Sequence, residues 1–192
     1  MGDITHTDEM VGRVTAKLDE LGLAEDTLVV ILSDHGEPFG EHGTIRKYYV
    51  PVYEELARMV WIVRKPGAVP EGAVSRALVQ NTDLAPTVLE LLGIEPPPRR
   101  VVGAFQGIVG GDEMDGVSLV PLLTGDEPAV RDCVFNGAFG LRASIRTDRH
   151  KLIDNQGEKP NELFDLDQDP DERRNLIQDS PDLAGELHRR LW

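Results

Sequence analysis

The sequence predicts an α/β fold: a partial, mainly parallel sheet with helices, followed by a small antiparallel subdomain that ends in a helix. Three observations carry this reading. Strand-length apolar runs alternate with helical periodicity across residues 1–125. Those runs are unbroken rather than alternating, the pattern of strands covered on both faces in a parallel sheet. From residue 126 to 192 the pattern changes to short strand candidates separated by turns, with helical spacing returning at the end.

In chain order, Ile4, Val11, Val14, Leu18 and Leu21 form one apolar stripe of a first helix, and Gly22 is placed to end it. Thr27 to Ser33 is a β-branched and aliphatic strand that stops at Ser33-Asp34-His35-Gly36. Pro51 to Arg58 suits a short helix, and Met59 to Val63 a second buried strand ended by Lys65-Pro66-Gly67. Asn81 or Thr82 is the expected N-cap of a leucine-rich helix that Gly93 stops. Residues 94–116 hold Glu95-Pro96-Pro97-Pro98 and read as loop, and Val117 to Leu123 reads as a short amphipathic turn or helix. Cys133 to Phe135, Leu141 to Arg146, Lys151 to Ile153 and Glu162 to Leu166 are strand candidates. Thr147-Asp148-Arg149-His150 is a hairpin turn, and a helix runs from about Pro181 to Leu191.

Composition narrows the function. In 192 residues there are 20 Lys and Arg against 34 Asp and Glu, a formal charge of 20 − 34 = −14. That balance argues against nucleic acid or an anionic membrane as the main partner. Leu28 to Leu32, the longest apolar run, is far short of a membrane span. One cysteine, Cys133, excludes an intrachain disulfide and a cysteine-based zinc cluster. Met1 to His6 carries no signal-like segment, and the location stays open between cytoplasm and periplasm or exterior.

The stretch Thr27 to Lys47 carries the chemistry. Ligands of open α/β sheets bind beyond the carboxyl ends of strands. There, Asp34 offers a hard oxygen ligand for a divalent cation, and His35 an imidazole. Gly36 lets the backbone pass close to a ligand, and Lys47 offers a point charge to an oxyanion. Each also has a bland reading: turn chemistry for Asp34, a solvated lysine for Lys47, and loop packing for His42. The acidic run Asp165, Asp167, Asp169, Asp171, Glu172 lacks the central Gly and terminal Glu of an EF-hand and is expected to be a solvated turn.

Several blocks resemble the second half of a sulfatase catalytic domain, of the alkaline phosphatase superfamily. They are Ser33-Asp34-His35-Gly36-Glu37, Gly40-Glu41-His42-Gly43, Lys47, Tyr53-Glu54-Glu55 and Trp61-Ile62-Val63-Arg64-Lys65-Pro66-Gly67. Further matches are Asp8 to Arg13, Thr82 to Thr87, Asp115 to Leu119, Arg146 to Ile153, and Glu162 to Leu166 with Asp169-Pro170. The likeness runs in the family's order from about Thr5 to Leu176. It implies an alkaline-phosphatase-like sandwich through residue 125 and a C-terminal subdomain over residues 126–192. It also implies that Asp34 and His35 ligate calcium and that Lys47 contacts the sulfate group; Asp83, Arg64 and Asp169-Pro170 match structural parts of the pattern.

One departure matters. The family's formylglycine nucleophile comes from a Cys/Ser-x-Pro/Ala-x-Arg motif, which this sequence does not contain, and the paired aspartates of the first strand are absent too. The expectation is a C-terminal piece of a sulfatase that is inactive alone. It would be marginally stable or paired with a missing N-terminal half or with itself, its substrate a sulfate ester. Two other readings stand beside it: a phosphate or phosphonate ester hydrolase of the same superfamily using zinc or manganese, and a non-catalytic remnant acting as an assembly module. The Gly-Glu-His-Gly block with Lys47 and Tyr53-Glu54-Glu55 favours the sulfatase.

Overall fold

The computed structural model describes residues 2–46, 52–95, 114–138 and 141–192. They divide into two compact units: Met1–Ser33 with Val60–Val74, and Asp34–Met59 with Ser75–Trp192.

The first unit holds helix α1 (Gly2–Glu20) and strands β1 (Val29–Leu32) and β2 (Trp61–Arg64). Helix α1 ends where expected: Gly22 has φ +67°, and the Leu23 N–H donates to the Leu18 carbonyl at 2.9 Å. No residue of α1 is buried: in its apolar stripe Ile4, Val14 and Leu21 are exposed, while Val11 and Leu18 are half-buried. Strand β1 pairs with β2 antiparallel, with Val29 opposite Arg64 and Leu32 opposite Trp61. The expected parallel pairing is not seen among the described residues, where every strand pair is antiparallel. Apolar continuity reports burial, not strand direction. Here even the burial is incomplete, because all four residues of β1 are only partly covered.

The second unit contains the one-turn helix α2 (Glu54–Ala57), a 3-10 turn (Asn81–Asp83) running into α3 (Leu84–Leu91), and α4 (Val120–Thr124). It continues with strands β3 (Cys133–Ala138), β4 (Arg142–Thr147), β5 (His150–Asp154) and β6 (Glu162–Asp165), and closes with α5 (Pro181–Leu191). The strands form an antiparallel meander in chain order, as the turn spacing indicates. The β4–β5 hairpin turns at Asp148-Arg149, where Thr147 Oγ1 accepts the His150 N–H at 3.0 Å.

Register places Ile145, Leu152 and Leu163 in one row across three strands. This row packs on Ala184 and Leu187 of α5. The opposite face presents Ile153 and Phe164 to Val52 and Tyr53. Because β5 is covered on both faces, Lys151 is fully buried.

The cap of α3 also differs from expectation. Neither Asn81 nor Thr82 caps it; the Gln80 N–H donates to the Asp83 carboxylate at 2.7 Å in a capping box that begins one residue earlier. The carboxylate of Asp83, fully buried, also accepts the Val117 N–H at 2.9 Å and both guanidinium nitrogens of Arg131. Asp83 thus ties the Asp115-Gly116-Val117 block to the start of α3, the structural role its block implied.

Candidate functional site

Beyond β1 the chain turns at Asp34-His35-Gly36. The Asp34 Oδ1 accepts the His35 N–H at 3.0 Å, and His35 Nδ1 lies 2.6 Å from the Gly36 carbonyl. A carbonyl only accepts, so Nδ1 carries the proton, and a neutral ring keeps its lone pair on Nε2. That nitrogen is 3.5 Å from Asp34 Oδ2. The Asp34 side chain is 86% exposed and that of His35 32% exposed.

One carboxylate and one imidazole are a small part of a calcium shell, which takes about 6–8 oxygens. Among the described residues no third His, Cys, Asp or Glu joins them. The described donors therefore do not by themselves fit a calcium ion. Lys47, the expected sulfate contact, lies outside the described residues, as does most of the loop expected over residues 94–116.

What holds this corner is better defined. The Gly36 N–H donates to the Leu56 carbonyl of α2 at 2.7 Å, and a Cβ at Gly36 would fall onto the Glu55 carbonyl. Only glycine permits that approach. Helix α2 is in turn fixed by charge. Lys151 Nζ lies 3.0 Å from Glu54 Oε1 and 3.0 Å from Glu172 Oε1, with Arg146 Nε 3.4 Å from Glu54 Oε2. Two cations thus face two carboxylates, which offsets the cost of burying them. Burial pushes the Glu172 carboxyl up, against the opposing pull of the Lys151 ammonium and the Glu54 N–H; the net direction is upward.

His42 completes the arrangement. Its ring stacks on Tyr53 at 3.7 Å between centroids, Nδ1 is 2.6 Å from Glu55 Oε1, and Nε2 donates to the Glu172 carbonyl at 3.0 Å. The Tyr53 hydroxyl donates to Glu162 at 2.8 Å. His42 is therefore a packing and loop-tying residue, the bland reading of its position.

The acidic run is not wholly a solvated turn. Glu172 is 2% exposed and Asp165 is 8% exposed, the latter paired with Arg149 at 2.6 Å. Sequence reading missed the Lys151, Glu54 and Glu172 cluster. The available signal was a lysine at the start of the strand candidate Lys151-Leu152-Ile153, where a buried charge needs a partner.

Residues 40–192 match the family described as N-sulphoglucosamine sulphohydrolase, C-terminal. The chain is 31% identical over 189 residues to an N-acetylglucosamine-6-O-sulfatase of Bacteroides thetaiotaomicron, a match spanning 92% of this chain and 31% of that protein. It is 30% identical to a choline-sulfatase of Rhizobium meliloti over 92% of this chain and 32% of that protein. Among solved structures, BT4656 in complex with its substrate D-glucosamine-2-N,6-O-disulfate superposes with a TM-score of 0.79 at 29% identity, covering 98% of this chain and 38% of that one. The phosphonate monoester hydrolase of Agrobacterium radiobacter superposes with a TM-score of 0.79 at 26% identity, covering 98% and 38%. The chain spans about a third of the length of the curated relatives it matches.

Proposed function

The chain belongs to the N-sulphoglucosamine sulphohydrolase C-terminal family of sulfatases, and on that premise we propose that it serves in the hydrolysis of sulfuric esters. The observation that carries this reading is the family match over residues 40–192, together with an Asp34-His35 pair that leads out of strand β1. In this reading Asp34 and His35 are metal ligands, with calcium the expected ion and zinc or manganese the alternatives. Lys47 contacts the sulfo group of the substrate. The remaining ligands and the formylglycine nucleophile come from outside this sequence, which holds no motif for the latter. Alone, the chain is then inactive.

The same proposal covers the fold. Residues 1–125 are the C-terminal part of a catalytic α/β domain, and residues 126–192 its small subdomain. Strand β1 pairs only with β2 among the described residues, which leaves its other edge for a parallel neighbour.

The test is complementation. The chain replaces the matching C-terminal part of the Bacteroides thetaiotaomicron N-acetylglucosamine-6-O-sulfatase, and the chimera is assayed on aryl sulfate. Hydrolysis that Asp34→Asn, His35→Ala and Lys47→Ala each abolish supports the proposal; a folded chimera with no activity rejects it. A second reading, phosphonate or phosphate ester hydrolysis, is favoured by the likeness to the Agrobacterium radiobacter enzyme. Preference of the chimera for aryl phosphonate over aryl sulfate selects it. The third, a non-catalytic assembly module, follows if the three substitutions leave the chimera's activity unchanged.

A further inference from the structure

We infer that Glu172 is a positioning residue for the Asp34–His35 corner, acting through helix α2. That the corner is functional rests on the proposal above; the mechanical link does not.

The link begins with the shortness of α2, whose single turn of Glu54–Ala57 cannot hold itself in water. Its N-cap residue, Tyr53, makes no side-chain cap bond. The cap comes from a residue 118 positions away: Glu172 Oε2 accepts the Glu54 N–H at 2.5 Å. A carboxylate at a helix start also complements the exposed N–H groups there.

Two further contacts fix Glu172 itself. Its other oxygen, Oε1, lies 3.0 Å from the buried Lys151 ammonium. Its carbonyl accepts from His42 Nε2 at 3.0 Å, and His42 Nδ1 reaches back to Glu55 on the same helix. Its φ is +53°, in the left-handed region that a residue with a side chain adopts at a cost. That backbone conformation persists because both the side chain and the carbonyl have partners.

From Glu54 the constraint runs along consecutive residues. The Glu55 carbonyl lies against Gly36, and the Leu56 carbonyl accepts the Gly36 N–H. Asp34 and His35 are the two residues before it. Glu172 thus sets α2, and α2 sets the corner, with no contact between Glu172 and Asp34 or His35 required.

The test is amide hydrogen exchange and NMR on the chain itself, without metal or substrate, comparing wild type with Glu172→Gln. This substitution keeps the side-chain size and removes one charged partner of Lys151. The expected result is local. Exchange of the Gly36, Ala57 and Arg58 amides accelerates roughly tenfold or more, and the His35 ring resonances shift, while the Ile145 and Leu152 amides stay within about twofold. Unchanged exchange at Gly36 overturns the inference, and so does uniform acceleration that includes the β4–β5 amides. If Glu172→Gln does not fold, His42→Asn is read by the same criteria, since it cuts the Glu55–His42–Glu172 link and leaves Lys151 both carboxylates. An inactive chimera with the local exchange pattern would reject the proposed function and leave the positioning role intact.

Discussion

At Gly36 the backbone lies against the Glu55 carbonyl, so a methyl group there must move either the corner or α2. Gly36→Ala is expected to destabilise the chain by about 1–3 kcal/mol, the usual cost of overpacking. A urea midpoint equal to that of wild type would contradict this. His42 gives a pH prediction at the same scale. Burial works against its charged ring, but the Glu172 carbonyl and the Glu55 carboxylate outweigh it and hold the His42 pKa above the ordinary imidazole value. The folded state therefore binds this proton more tightly than the unfolded chain. Its stabilisation is fully present below the ordinary pKa of about 6.5 and is lost as pH rises through the folded-state value. The urea midpoint should fall across that window in wild type and flatten in His42→Gln. Among single residues, the identity of the Asp34-His35-Gly36 corner was legible in the sequence because strand end and glycine are local signals. The burial of Glu172 was not, because it depends on Lys151 and Glu54, its partners across the fold.

Elements whose stops are local matched their sequence signals. Helix α5 spans Pro181–Leu191 as its spacing indicates, and the hairpin turns between Thr147 and His150. Strand direction was illegible, because antiparallel pairing of β1 with β2 is decided by where the chain returns, and a buried apolar run reads alike in either direction. The start of α3 was half legible. Asp83 was recognised as structural, but its partner Arg131 sits 48 positions away with no local cue. That pair ties the start of α3 to the segment before β3, with the Asp83 side chain fully buried and that of Arg131 14% exposed. Asp83→Ala would leave a largely buried guanidinium without its carboxylate and release the Gln80 and Val117 amides. A loss of about 3–5 kcal/mol in urea unfolding is expected. A loss under about 1 kcal/mol would mean that water compensates the guanidinium.

For the whole molecule, the two compact units differ in how well their apolar groups are covered. The second has a row of Ile145, Leu152 and Leu163, each 0–1% exposed. In the first, Ile4 is 67%, Val14 62%, Leu21 57% and Ile62 54% exposed. No helix of the described residues is long and apolar enough to cross a membrane, so a bilayer-spanning helix does not account for that surface. A soluble chain with such faces tends to associate or to bind apolar probes. The isolated chain is therefore expected to enhance the fluorescence of a hydrophobic dye and to self-associate with rising concentration in sedimentation. Val14→Lys with Ile62→Thr should reduce both effects. Neither position is buried, so neither change removes a core contact, and the free energy of urea unfolding of the β3–β6 sheet should stay within about 0.5 kcal/mol of wild type. A chain that stays monomeric and dye-silent at every concentration would show that these faces are covered within the chain.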